Sequence, residues 1–208
     1  MPLVSNSGLR RRLQEITDMA AERGMVHDQL EKKILGLAST HPHSIRRLRE
    51  DEAKGYYCFV YAFELVDSPK YQAIANADRA LGWDIFFAGS VFARFLIEHR
   101  APKMINESEI RPDDVVVYLD GESTPKHAGK IAPQEGRIKS QWGGGLFLEH
   151  GLSEVPESYG NTFRFYRRIH DEQAEQIFLE FVKSHDRFQE FCKESAAVDL
   201  DLSDLFEG

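Results

Sequence analysis

Segments that favour β-strands occupy the middle of the chain and separate two regions with helical periodicity. Before residue 110, apolar residues recur three or four positions apart, as Leu9 and Leu13 do, which is the spacing of one helix face. Over residues 110–167, short β-forming segments such as Val115–Leu119 alternate with turns. Helical spacing returns over 170–195. Because helices and strands are segregated along the chain, the sequence predicts an α+β domain with an antiparallel meander.

The individual elements follow from the same patterns. Periodicity alone does not separate a strand from a buried helix in the apolar run 56–66; a helix is favoured because it would place Cys58 at a helix start. We predict two helices between residues 8 and 40, then helices over 44–52, 56–66, 70–99 (with breaks near Gly82 and Gly89) and 170–195. We predict strands over 115–119, 127–132, 137–142, 147–150 and 162–167. The expected organisation is a helical N-terminal extension (1–50), a core (51–169) and a C-terminal helix with an acidic tail (170–208).

The charge of the chain bears on its partners. The net charge is −8 over 208 residues, and nucleic-acid binding normally needs a basic surface, so we expect no nucleic-acid partner. The first 50 residues are locally basic, whereas residues 199–207 are acidic. The terminal helices can therefore serve a protein partner, although solvated helix faces explain such charge more often.

Other function classes are not expected. The sequence has no CxxC or HExxH spacing, so we predict no metal site and no cofactor. Cys58 and Cys192 do not make a disulfide framework. No apolar run approaches about 18 residues and the first residues lack an apolar signal segment, so we predict neither a membrane span nor Sec export. We expect a cytoplasmic protein, although a dedicated secretion system or release by lysis would leave no mark in the sequence.

Cys58 is a candidate nucleophile. A free cysteine has a pKa of about 8.5, which a helix N-terminus or a neighbouring imidazolium lowers. If the run after Gly55 is a helix, Cys58 lies in its first turn, where free backbone N–H groups can also hold the oxyanion of a tetrahedral intermediate. Taken alone, a cysteine of this kind is more often a small buried hydrophobe.

His127 is the candidate base. It begins a predicted strand after the turn Asp120–Pro125, and an imidazole there can take the thiol proton and return it to a leaving amine. A third polar group usually orients such an imidazole. Ser140 and Gln141 are the alternatives, since a hairpin of 127–132 with 137–142 would bring residues 140–142 opposite His127. Strand parity would separate the two, and the sequence leaves this open.

These residues resemble a known pattern. NlpC/P60 and CHAP-type enzymes place a cysteine at a helix start, then a "pGDvvvY" strand, then "HaGiv" on the next strand. The matching segments are 57–62 (YCFVYA), 110–118 (IRPDDVVVY) and 127–131 (HAGKI). A less studied bacterial branch adds "sKwG", "eH" and "P..YG", which are similar to 140–143, 149–150 and 156–160. The resemblance covers about residues 55–167.

The resemblance implies a papain-like NlpC/P60 core, in which the nucleophile helix packs on an antiparallel sheet, with extra N- and C-terminal helices. It implies Cys58 as nucleophile and His127 as base, with Tyr57, Trp142 and His150 as candidates for substrate contact. The sequence departs from the pattern in several respects: Asp113 replaces the usual glycine of the "GD" turn, and Gln141 replaces the usual lysine. The segment between Cys58 and the Val115 strand is long, and the helical terminal regions have no clear counterpart.

Three functions fit these residues. The first is a cysteine hydrolase, a peptidase or amidase that cleaves an amide bond; peptides of the bacterial cell wall are the most familiar substrate of the family. An injected toxin, a phage lysin or a cytosolic amidase would fit a chain without a signal peptide. The second is a catalytically inactive papain-like scaffold that binds a protein partner. The third is an acyltransferase or deamidating effector, because the Cys–His pair does not distinguish hydrolysis from transfer.

Overall fold

The computed structural model describes residues 7–22, 27–41, 44–48, 57–99, 102–134, 136–142, 146–198, 200 and 202–206. Its helices are α1 (Ser7–Glu22), α2 (His27–Thr40), α3 (Cys58–Ala62), α4 (Pro69–Leu81), α5 (Ser90–Glu98), α6 (Asp171–Ser184) and α7 (Phe188–Ala197). Its strands are β1 (Ile45–Arg47), β2 (Met104–Ile105), β3 (Val115–Leu119), β4 (Pro125–Ile131), β5 (Arg137–Trp142), β6 (Leu146–Gly151) and β7 (Thr162–Tyr166). The predicted α+β class is confirmed.

The strands form one antiparallel sheet in the order β1-β6-β5-β4-β3-β7-β2. β3 to β6 follow one another as a meander, and β7 returns to pair with the free side of β3. The two short strands β1 and β2 pair with β6 and β7 and form the edges of the sheet. Strand segments from before residue 110 therefore complete a sheet whose centre comes from the predicted meander.

Helices cover both faces of this sheet. Alternate residues of β3 point to opposite faces: Val115 and Val117 belong to the buried cluster that contains the apolar side chains of α3–α7. Val116 and Tyr118 belong to a second cluster, which also contains Leu9 of α1. The α3–α7 side and the α1–α2 side of the sheet are thus two separate cores.

The breaks in the predicted helical region 70–99 are confirmed. Ser68 caps α4, because its hydroxyl accepts a hydrogen bond from the Tyr71 N–H at 3.0 Å, and Pro69 follows at the first helical position. α4 ends at Gly82, whose φ of 69° is the left-handed conformation that glycine tolerates best. Gly89 stands at the N-cap of α5.

The prediction of a helix over 44–52 is wrong where the structure describes it. Residues Ile45–Arg47 form β1 and pair with Leu148–His150 of β6. Pairing with the edge of a preformed sheet overrides the local pattern of a segment this short. Residues 49–52 lie outside the described residues.

Three smaller differences concern element lengths and order. β2 was not predicted, because two residues carry no periodicity. The C-terminal helical region is divided, since α6 ends at Ser184 and α7 begins at Phe188. The helix predicted over 56–66 is too long, since only Cys58–Ala62 is helical and residues 63–66 are turn or irregular, while residue 56 lies outside the described residues. The domain boundaries at 50 and 169 stay predictions, although α1 and α2 contribute side chains to the same cluster as the sheet.

Candidate functional site

Cys58 is the first residue of α3, as the sequence predicts for a nucleophile. Tyr57 stands at the N-cap, and its side chain makes no capping hydrogen bond. Burial raises the pKa of the half-buried Cys58 thiol to about 11. The backbone N–H groups of Ala128, Phe59 and Cys58 itself act in the opposite direction, because they stabilise a thiolate. In this state the thiol is protonated at neutral pH.

α3 meets the sheet where β4 and β5 part. The β4–β5 pairing consists of Lys130 with Lys139 and Ile131 with Ile138, and within the described residues it does not extend towards His127. On its other side β4 stays paired with β3 beyond this point, as Ala128 pairs with Val117. The start of α3 therefore lies beside the open end of the β4–β5 ladder, where Ala128 presents its N–H to Cys58.

His127 lies on the opposite face of β4. Ala128 belongs to the cluster against which Cys58 packs, and neighbouring residues of a strand point to opposite faces. The His127 ring stacks on Tyr159 at 4.2 Å and contacts Tyr118 at 5.6 Å and Trp142 at 6.3 Å, all measured between ring centroids. Within the described residues no hydrogen bond joins His127 to Cys58. The structure therefore does not bring the two predicted residues together as a hydrogen-bonded pair.

The His127 imidazole is neutral and has an unsatisfied nitrogen. Its side chain is 2% exposed, and Nε2 is buried without a hydrogen-bond partner among the described residues. Burial, and secondarily the repulsion that a protonated His150 would exert, lowers the pKa of His127 well below its ordinary value. Buried polar atoms without a partner are rare in folded proteins, and each calls for a physical reason.

Strand parity separates Ser140 from Gln141. The Ser140 hydroxyl lies on the face of His127 but bonds His150 Nε2 at 2.7 Å and accepts a hydrogen bond from Trp142 Nε1 at 2.8 Å. Gln141 pairs across the sheet with Phe147, whose ring contacts Tyr61 of α3 at 4.8 Å, so Gln141 lies on the face of Cys58. Within the described residues neither side chain makes a hydrogen bond to His127.

Gln141 nevertheless shares one property with His127. Its side chain is 3% exposed and its amide Nε2 has no hydrogen-bond partner. The described residues contain three buried side-chain nitrogens of this kind, and the third belongs to Arg10. Two of the three thus belong to residues that the sequence marks as catalytic candidates, on the two strands that part beside Cys58.

The predicted substrate-contact residues lie in different surroundings. Tyr57 is 52% exposed, and its ring packs on Phe87. Trp142 and His150 are buried on the face of His127, with their rings 5.5 Å apart. Burial lowers the pKa of His150 to about 4, and its Nδ1 bonds the Gly151 carbonyl oxygen at 2.8 Å. Only Tyr57 is placed to meet a ligand from solvent.

Two further residues matter for this region. Tyr159, within the segment similar to "P..YG", stacks on His127, and that motif was the only sequence signal for it. Glu64, just after α3, forms ion pairs with Lys130 at 2.7 Å and with Arg168 at 2.8 Å. The first pair ties the end of α3 to β4. No motif marked Glu64, because its partners are far away in sequence.

The site thus lies in an α+β protein in which the helix that begins at Cys58 packs on an antiparallel sheet. Comparison of the chain with protein-family models, with curated proteins and with solved structures found no significant match. No helix in the described part of the chain combines the length and the hydrophobicity that a membrane span requires.

Proposed function

We propose that the protein is a cysteine hydrolase that acts on an amide bond with Cys58 as nucleophile. The observation that carries the proposal is the pair of buried, unpartnered nitrogens of His127 and Gln141 on the two strands that part beside Cys58. Unsatisfied buried polar groups are costly, and a substrate or a transition state is one kind of partner that can satisfy them. The resemblance to NlpC/P60 enzymes points to peptides, such as those of the bacterial cell wall, as the substrate class.

The reaction assigns roles to Cys58, to two backbone N–H groups and to His127. The Cys58 sulfur attacks the amide carbonyl, and the N–H groups of Ala128 and Phe59 stabilise the oxyanion. His127 accepts the thiol proton and delivers it to the departing amine, and water then cleaves the thioester. These steps require His127 to reach Cys58, so when substrate binds the end of β4 that is unpaired with β5 must turn and His127 must leave its pairing with Tyr118 of β3.

A catalytically inactive scaffold is the second candidate. Two observations favour it: Cys58 and His127 occupy opposite faces of β4, and burial holds the pKa of the Cys58 thiol at about 11. A thiol in that state is a poor nucleophile at neutral pH. The fold would then present a surface to a protein partner. An acyltransferase or deamidase would use the same residues as the hydrolase and differ only in the acceptor.

Thiol alkylation separates the two candidates. The hydrolase proposal predicts that a peptide chloromethyl ketone, which presents a peptide to the site, modifies Cys58 faster than iodoacetamide does, and that His127→Ala slows this reaction at least about tenfold. Mass spectrometry would locate the label, with Cys192 in the same chain as an internal reference. Slow labelling of Cys58 that does not depend on His127, together with no cleavage of peptide amides, would favour the scaffold.

A further inference from the structure

A cavity of about 270 Å³ opens beside Tyr57, the residue that precedes Cys58. Its walls include Tyr57, Tyr71, Asp78, Arg79, Asp84 and Phe87. It lies between α4 and the loop 82–89. Consecutive Cα atoms are about 3.8 Å apart, so the backbone of the cavity wall at Tyr57 adjoins that of Cys58, although Cys58 itself does not line the cavity.

Aromatic rings form one part of the cavity wall. The Tyr57 and Phe87 rings are 5.6 Å apart between centroids and tilted by 48°. Tyr57 is largely exposed, whereas Tyr71 is buried and packs edge-on against Phe178 at 5.0 Å. A buried ring and an accessible ring in the wall thus provide aromatic faces for a ligand.

Two carboxylates form another part. Asp78 is buried and accepts hydrogen bonds from the backbone N–H groups of Ile85 at 3.2 Å and Phe86 at 3.1 Å, which hold the loop against α4. Asp84 is exposed and has a φ of 56°, an uncommon conformation for a residue other than glycine. Burial chiefly raises the pKa of Asp78, and the nearby charge of Asp84 acts in the same direction.

We propose that this cavity binds a cationic side chain of the lysine or arginine type, on the substrate residue next to the amide that Cys58 attacks. The inference rests on the proposed function for its connection to catalysis. Aromatic faces and carboxylates together are the groups that attract an organic cation. The net charge of −8 favours the approach of a cationic peptide. Arg79 also lines the cavity, and its positive charge would repel a bound cation. Among the described residues it forms no ion pair with either carboxylate.

The binding test uses the full chain with Cys58→Ala, so that it does not depend on catalysis. N-acetyl-lysine amide and N-acetyl-norleucine amide, which differ in the charged end, are titrated while amide shifts are followed by NMR. We expect the lysine compound to shift residues around Tyr57 and Phe87 and to bind several-fold more tightly. In the same background, Asp84→Asn should weaken its binding about two- to fivefold and Arg79→Gln should strengthen it by a similar factor.

Glu107→Gln is the matched control, since Glu107 is an exposed carboxylate outside the cavity and its loss changes the net charge as Asp84→Asn does. If both variants weakened binding of the lysine compound equally, the effect would come from the net charge of the protein and not from the cavity, and the proposal would be overturned. Equal affinity for the two compounds, or preference for norleucine, would also overturn it, even if the protein hydrolyses amides. Lysine-selective binding without any hydrolysis would leave the cation site standing and remove the proposed function.

Discussion

Gln141 places an amide nitrogen inside the protein, and no group of the described part of the chain accepts a hydrogen bond from it. A buried donor without a partner costs about 1–3 kcal/mol. Its neighbours along β5, Ser140 and Trp142, satisfy each other, so the cost belongs to this one position. A position that lowers stability is explained if the amide meets a substrate group.

This argument gives a prediction for Gln141→Met, which keeps the length of the side chain and removes the amide. We expect the free energy of unfolding to rise by about 1 kcal/mol, because no unsatisfied donor remains. Urea titration measures the change. Gln134→Met is the control at an exposed position and should have almost no effect. A loss of stability on Gln141→Met would mean that the amide has a partner in solution.

The structure gives a physical reason for the glycine at position 160, which ends the segment 156–160 that is similar to "P..YG". Its φ is 115°, and a Cβ there would lie 2.6 Å from the carbonyl oxygen of Leu119 on β3. The clash is with backbone, so no side chain can move to relieve it. The turn that carries Tyr159 onto His127 therefore requires glycine at this position.

We expect Gly160→Ala to lower the free energy of unfolding by about 2–4 kcal/mol, since it combines a backbone clash with a disfavoured φ. Gly121→Ala is the matched control, because a Cβ at Gly121 meets nothing within 4 Å. Thermal unfolding of both variants measures the difference. Similar stabilities would contradict the close approach of this turn to β3.

The turn before β3 leads to another prediction. Asp113, which stands where the pattern usually has glycine, has a φ of 69°. A residue other than glycine is strained in this region by about 1–2 kcal/mol, although glycine also increases the entropy of the unfolded chain. We therefore expect Asp113→Gly to stabilise the protein by up to about 1 kcal/mol in urea titration. Asp113→Ala, which keeps the strain, should give no gain and serves as the control.

The sequence predicts the elements of this protein better than its side-chain arrangement. The strands 115–119 and 137–142 and the break at Gly82 follow from local propensity and turn chemistry, which a single sequence carries. β1 was missed because a three-residue strand depends on its partner β6. Which face of β4 His127 occupies depends on the register with β3, and local patterns do not contain that register.

The same limit applies to the candidate site. A cysteine at a helix start was predictable from its neighbours, and the structure places Cys58 there. The sequence predicts that Ser140 and Gln141 point to opposite faces of their strand. Which face each of them occupies depends on the pairing of the whole sheet. The burial that keeps the Cys58 thiol protonated comes from residues of β4 and of the surrounding core, which are distant in sequence.

At the scale of the whole molecule, the second core makes the protein sensitive to acid. α1, α2 and the sheet enclose His127 and His150 on one face, and both are uncharged because burial lowers their pKa. The charge of Arg137 lowers the pKa of His150 further, whereas Glu149 acts in the opposite direction. Once the chain unfolds, both imidazoles regain an ordinary pKa of about 6.5.

The sign of the effect follows from proton binding. Below about pH 6.5 the unfolded chain binds protons at both histidines while the folded protein does not, so stability falls as the pH falls, by about 1.4 kcal/mol per pH unit for each histidine. For His150 the loss levels off near its folded pKa of about 4, and for His127 it continues lower. Between pH 7 and pH 5 the two histidines together should remove about 3–4 kcal/mol.

Urea unfolding at pH 7, 6 and 5 measures this loss in a range where ordinary carboxyl groups stay ionised. His127→Phe keeps a ring that can stack on Tyr159 and removes one titrating group, so its stability should fall about half as steeply between pH 7 and pH 5 as that of the wild type. A wild-type stability that does not change over this range would contradict the burial of two neutral imidazoles. An unchanged slope in His127→Phe would assign the acid sensitivity to His150 and other groups, and would mean that His127 is accessible to protons in the folded protein.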